Sequence, residues 1–209
     1  MAVVTILIFR QFQGIDFGWL FPPILLSNLL IGTFYFFGGL VLLEKKEGTL
    51  EAQVVTPLRR WEYLASKVIT LTLLSLVESL LVIFLIYGAE FKVIPMVLGI
   101  SFAAMIYSLL GFIIVARYDS INEYLFPSFL YTLPIFLVFL DYFGLWKSWL
   151  FYLHPFQAPL LLMQFAFNPV EGWQVAYGLL YSAFWAGVVF VWSHGVFYRF
   201  IIKKEGVRS

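Results

Sequence analysis

A chain of 209 residues that is 62% hydrophobic and only 12% charged, with a mean hydropathy of +0.93, lies well above the apolar fraction of soluble domains, about 45 to 50%, and reads as an integral membrane protein. A formal net charge of +1 withholds the basic face that a nucleic-acid partner calls for, and the absence of cysteine excludes disulfides and thiolate metal sites. No GxxxxGK motif occurs, so the chain cannot cradle ATP phosphates by that route, and ATP-driven work would have to be powered by another subunit.

Residues 1–9, MAVVTILIF, are apolar but too short to cross a bilayer, which takes about 20 helical residues; no basic n-region precedes them and no signal-peptide cleavage site follows. Residues 21–43 are long enough, covering roughly 34 Å as a helix, and the Pro22-Pro23 pair belongs in the first turn, where missing N–H groups cost little. Gly32, Gly38 and Gly39 predict places where another helix comes close.

Next comes EKKEGTLEAQVVTPLRRWEYLASK, residues 44–67, the one long polar stretch of the chain. It carries five of the thirteen basic residues, Lys45, Lys46, Arg59, Arg60 and Lys67, with the acids Glu44, Glu47, Glu51 and Glu62, and such a segment lies in water. Gly48 breaks the preceding helix, and Thr49 can cap a new first turn in which Glu51 meets the positive end of the helix dipole. A short amphipathic helix over Leu50–Val55 follows, with Leu50 and Val54 on one face. Thr56-Pro57 then stops it and starts the next helix.

Residues 68–87 span again, with Lys67 able to snorkel to the interface, and residues 93–116 span with Gly99 and Ala103 at small-xxx-small spacing. A polar loop at 117–123 leads into a span over 124–140, where Pro127 and Pro134 predict a kink. From Asp141 to Gly172 the chain stays on one side. Within this stretch the segment 144–167 is aromatic and apolar, but its run from Ala158 to Phe167 is only about 10 residues, the length of a re-entrant or interfacial piece. Residues 173–198 form the last span, with Gly178, Ser182 and Ala186 in a row suited to a neighbouring helix. Putting the central stretch, the 117–123 loop and the C-terminus on the cytoplasmic side collects ten basic residues against Arg10, Lys92 and Lys147 opposite, a clear positive-inside bias.

An acid closing a membrane helix, then EGTLE, then VTPL and an aromatic-containing run ending in a lysine that enters the next span, resembles the type-2 ABC transporter permeases, in particular the small bacterial drug-export branch that includes fluoroquinolone export permeases. The likeness is close over the loop and looser, through helix count and order, over the rest. It implies an all-α polytopic membrane helix bundle of six spans. The first would be cut short here to residues 1–9, with Gln11–Gly18 external, and short re-entrant helices would precede the last span. It also implies that the central stretch carries a coupling helix docking onto a separate ATP-binding subunit. That subunit would hold ATP and magnesium, and this chain would hold no cofactor or metal. In that reading Glu51, Gln53, Leu50 and Val54 face the ATPase, Glu44 sits at the hinge, and Glu47, Gly48, Thr49, Thr56 and Pro57 shape the loop. Arg59, Arg60, Trp61 and Lys67 anchor it at the lipid headgroups. A second permease copy, identical or related, would complete the pathway, and ATP-driven closure would switch the bundle from inward-open to outward-open as a rigid-body change. Drugs or other amphipathic small molecules are the implied cargo.

Glu78 is the sharpest oddity outside the loop. It falls about 16 Å past Lys67, near mid-bilayer, where a charge costs on the order of 3 kcal/mol. It either lines a substrate path or relays movement, or it is a protonated carboxyl tying helices together, with Thr72, Ser75 and Ser79 close to the same face. Asn28 admits the same two readings, helix glue being the simpler. His154 and His194 fall on different sides and serve separate structural roles, while Asp141 and Glu171 read as solvated loop acids. An intramembrane enzyme would need a convergent set of nucleophile, base or metal ligands, and these scattered positions supply none. A non-transporting scaffold or sensor is the remaining alternative.

Overall fold

The computed structural model describes residues 18–49 and 60–197. Among these, five helices are long and apolar enough to cross a membrane: α1 (Phe21–Lys46), α2 (Arg60–Ile86), α3 (Val93–Val115), α4 (Ile121–Tyr142) and α6 (Gly172–Phe197). A sixth, α5 (Gln157–Phe167), is too short to do so. The described elements are all helical, and the chain is a multipass membrane protein. The N-terminal stretch 1–9 lies outside the described residues, so a sixth span rests on the sequence alone.

The helices alternate in direction between two ends of the bundle. At one end, Tyr63 near the start of α2 packs on Phe197 at the close of α6, with ring centroids 5.6 Å apart. At the other, Phe21 of α1 packs on Tyr87 just past α2 and on Phe167 at the close of α5, at 5.7 and 5.5 Å. The innermost helix is α3, with both sides buried from Pro95 to Val115, consistent with its apolar residues being spread around the whole helix. By contrast, α2, α4 and α6 keep wide apolar faces exposed, as lipid-facing helices do.

Two spans are irregular. The middle of α1, Leu30–Tyr35, is a π-helical segment, a wide turn that carries the Phe34 backbone against Gly111 of α3. In α4, Pro127 is accommodated inside the helix, whereas the interruption at Pro134 takes the form of a 3-10 segment, Leu133–Leu137. The glycines of α1 also differ from one another. A Cβ on Gly38 would strike the ring of Tyr124, one on Gly32 would make ordinary contacts, and one on Gly39 would meet nothing within 4 Å, so Gly39 marks no close approach.

The stretch before α6 folds back on itself. After a 3-10 turn over Trp149–Leu153, Phe156 stacks on Tyr107, with centroids 4.1 Å apart, about 22 Å along α3 from Lys92. The hydroxyl of Tyr181, nine residues past Gly172, donates to the Leu153 carbonyl at 2.8 Å. α5 then returns to its starting end, where the Lys92 N–H donates to the Ala166 carbonyl at 2.9 Å and the Lys92 ammonium lies 4.0 Å from the Phe165 ring centre. Small residues admit this hairpin. A Cβ on Gly99 would come within 2.9 Å of the Pro159 carbonyl, and one on Gly178 within 2.8 Å of Leu162. His154 belongs to this packing, its Nδ1 accepting the Phe156 N–H at 3.3 Å.

Candidate functional site

The base of the polar stretch is tied down by consecutive residues of α1. Gly48 takes a φ of +71°, the left-handed conformation that ends a helix, so α1 stops where the sequence predicts. In its last turn, Glu44 accepts from the Tyr63 hydroxyl at 2.5 Å and from the Lys67 ammonium, both on α2. Lys45 points to the opposite side, donating to the carbonyls of Ala116 at 2.9 Å and Tyr118 at 2.7 Å. There its charge meets the negative end of the α3 dipole, and Asp119 lies 3.7 Å away.

Lys67 thus has a carboxylate partner one helix away, and its side chain is 27% exposed against 14% for that of Glu44. Glu47, Thr49 and Trp61 are exposed beside this brace, and α2 is already helical from Arg60, so the end of the polar stretch continues directly into the second described span. Leu50, Glu51, Gln53, Val54, Thr56, Pro57 and Arg59 lie outside the described residues.

The brace reaches the rest of the bundle through rings. Tyr63 contacts Phe197, Phe197 stacks on Phe112 at 5.9 Å, and Phe112 meets Phe37 at 5.8 Å, linking α2, α6, α3 and α1 near one end. Displacing the loop stem would thus move helix ends that share one packed cluster.

Midway along the bundle, the two isolated polar residues of the sequence meet. Asn28 Nδ2 donates to Glu78 Oε1 at 3.4 Å, so α1 and α2 are joined there. Thr72 and Ser79 do not share this bond. Their hydroxyl oxygens are buried without a hydrogen-bond partner among the described residues, and Asn28 is the group that reaches the carboxylate. Asn28 also lines a groove of about 340 Å³ between α1 and the corner after α4, bounded by Pro23, Ile24, Ser27, Ile31, Phe139 and Phe143 among others. Its walls are apolar apart from Asn28 and Ser27, a lining that suits an amphipathic molecule. Among the described residues no group of three or more His, Asp or Glu could hold a metal ion.

The family profile of fluoroquinolones export permease proteins matches residues 8–205. The chain belongs to this family. The fluoroquinolones export permease proteins of two strains of Mycobacterium tuberculosis are each 35% identical to the permease over 190 residues, which is 89% of this chain and 80% of the relative. No solved structure matches it. Family membership makes the chain a membrane transport subunit rather than an enzyme.

A second acid falls outside the sequence expectation. Asp141, in the last turn of α4, accepts from Gln157 Nε2 at 2.7 Å, which joins α4 to the hairpin. Being 16 residues apart and separated by aromatic sequence, the two carry no local signal of pairing. Glu171 stays on the exposed side and accepts from the Trp173 indole N–H, capping the approach to α6.

Proposed function

We propose that this chain is the membrane-spanning permease of an ATP-driven exporter that moves fluoroquinolone-like drugs or other amphipathic small molecules out of the cytoplasm, with hydrolysis on a separate ATP-binding subunit and a second permease copy completing the pathway. The observation that carries the reading is the braced loop stem. Glu44 and Lys45, adjacent in sequence, hold the end of α1 to α2 on one side and to the corner after α3 on the other, so a push on the loop reaches three helices. The loop and the C-terminus then face the cytoplasm, in keeping with the positive-inside bias.

Co-purification tests this. The permease is expected to bring down an ATPase whose drug-stimulated turnover falls with Glu51→Arg or Leu50→Asp, while the membrane part stays assembled. Export of a fluoroquinolone by the purified chain with no nucleotide-hydrolysing partner would remove the ATP-driven reading. Because the chain has no cysteine, a single Glu47→Cys substitution reports sidedness. An impermeant maleimide is expected to label it only after the cytoplasmic face is opened.

Glu78 gives a sharper test of the middle of the bundle. Glu78→Gln keeps a hydrogen-bonding partner for Asn28 but removes the charge, so thermal stability is expected to hold while fluoroquinolone export falls severalfold. Unchanged export would reduce the pair to helix glue.

A further inference from the structure

A second, polar cleft of about 380 Å³ opens between the end of α4, the hairpin and the start of α6, within the size range of small-molecule sites. Gln157 lines it and is only 3% exposed, yet its Oε1 has no hydrogen-bond partner among the described residues. The orientation of that amide is chemically fixed, because Asp141 is a carboxylate that needs a donor and Nε2 supplies it at 2.7 Å. Oε1 is thereby left as a buried acceptor, which is costly unless something donates to it. Among the described residues the Asp141 carboxylate accepts only that one hydrogen bond. Lys147, in the turn after α4, also lines the cleft, is exposed and makes no ion pair with Asp141, and Gln164 and Gln174 add amide donors to the same lining.

We propose that this cleft binds the polar groups of a substrate carrying both an amine and a carboxylate. The ammonium would donate to Asp141 and to Gln157 Oε1, and the carboxylate would face Lys147. Phe143 lines both this cleft and the apolar groove beside Asn28, so one amphipathic molecule can lay its ring system on one side of Phe143 and its charges on the other. The inference rests on the export reading above and gives it a place where charged ends of the cargo are held.

Ciprofloxacin has both groups and is fluorescent, so its anisotropy reports binding to the full chain in lipid nanodiscs. Its methyl ester lacks the carboxylate and its N-acetyl derivative lacks the basic amine. Asp141→Asn and Gln157→Leu are each expected to weaken ciprofloxacin binding by about tenfold, the loss of one charge-assisted contact, with little effect on the N-acetyl compound. Lys147→Gln, at an exposed position that does not threaten folding, is expected to weaken ciprofloxacin and leave the methyl ester alone. If the wild type binds ciprofloxacin and all three variants bind it equally, the cleft is not the site, and the export reading stands. If Lys147→Gln weakens all three compounds alike, the charge pairing is wrong. If the wild type binds none of the three, the cleft proposal and the fluoroquinolone reading fall together.

Discussion

Gly111→Ala is expected to be among the most damaging single-methyl additions in the bundle. The new Cβ would lie 2.6 Å from the Phe34 carbonyl oxygen, 3.1 Å from its Cα and 3.2 Å from its carbonyl carbon. All three are backbone atoms, so no side chain can rotate aside, and α1 and α3 would have to separate or the π-helical turn at Leu30–Tyr35 would have to rewind. Overpacking of this kind costs about 1 to 3 kcal/mol, and a backbone clash belongs at the upper end. Gly39→Ala is the matched control. Its Cβ meets nothing within 4 Å, and replacing a helical glycine by alanine at an unstrained position gains about 0.4 to 1 kcal/mol. Thermal unfolding of both variants in one detergent is expected to shift in opposite directions. A Gly111→Ala protein as stable as wild type would mean that the two helices do not touch there.

That contrast also marks how far the sequence could be read. The long apolar runs between charged ends specify helices because the bilayer leaves the backbone no other way to satisfy its hydrogen bonds, and Gly48 announces the end of α1 through a conformation other residues avoid. The short run at Ala158–Phe167 could be recognised as something that does not span, because its length alone forbids it. What the sequence cannot reveal is pairing across helices. Gly39 and Gly111 look alike in a string of letters, and only the neighbouring helix decides which one is needed. Asn28 and Glu78 are 50 positions apart, so each reads as an isolated polar residue, and Glu44 and Lys67, 23 apart at the two ends of the polar stretch, carry no sign of pairing until the fold brings them together. Asp141 reads as a solvated loop acid, and nothing in the letters around it signals the buried Gln157 amide that donates to it.

Glu44→Ala is expected to destabilise the bundle and to disconnect the loop from it. The substitution strands the Lys67 ammonium and the Tyr63 hydroxyl, and Tyr63 is only 3% exposed. Breaking a fully buried pair costs about 3 to 5 kcal/mol, whereas exposed pairs are worth about 1 kcal/mol or less. With side chains 14% and 27% exposed, this pair lies between the two limits, and a loss of about 2 kcal/mol is the expected result. A double-mutant cycle separates stability from transmission. Lys67→Met removes the stranded charge while keeping an apolar stem of similar length. The double variant is therefore expected to regain much of the stability lost in Glu44→Ala, with a coupling energy of about 1 kcal/mol between the two sites. Drug export is expected to stay low in the double variant, because an apolar side chain can fill the space but cannot hold α1 to α2 under load as a charged hydrogen-bonded pair does. If export recovers together with stability, the brace serves only packing. If the two substitutions simply add, Glu44 and Lys67 do not act on one another, and the path from the loop to the bundle must run through Lys45 and the corner after α3 instead.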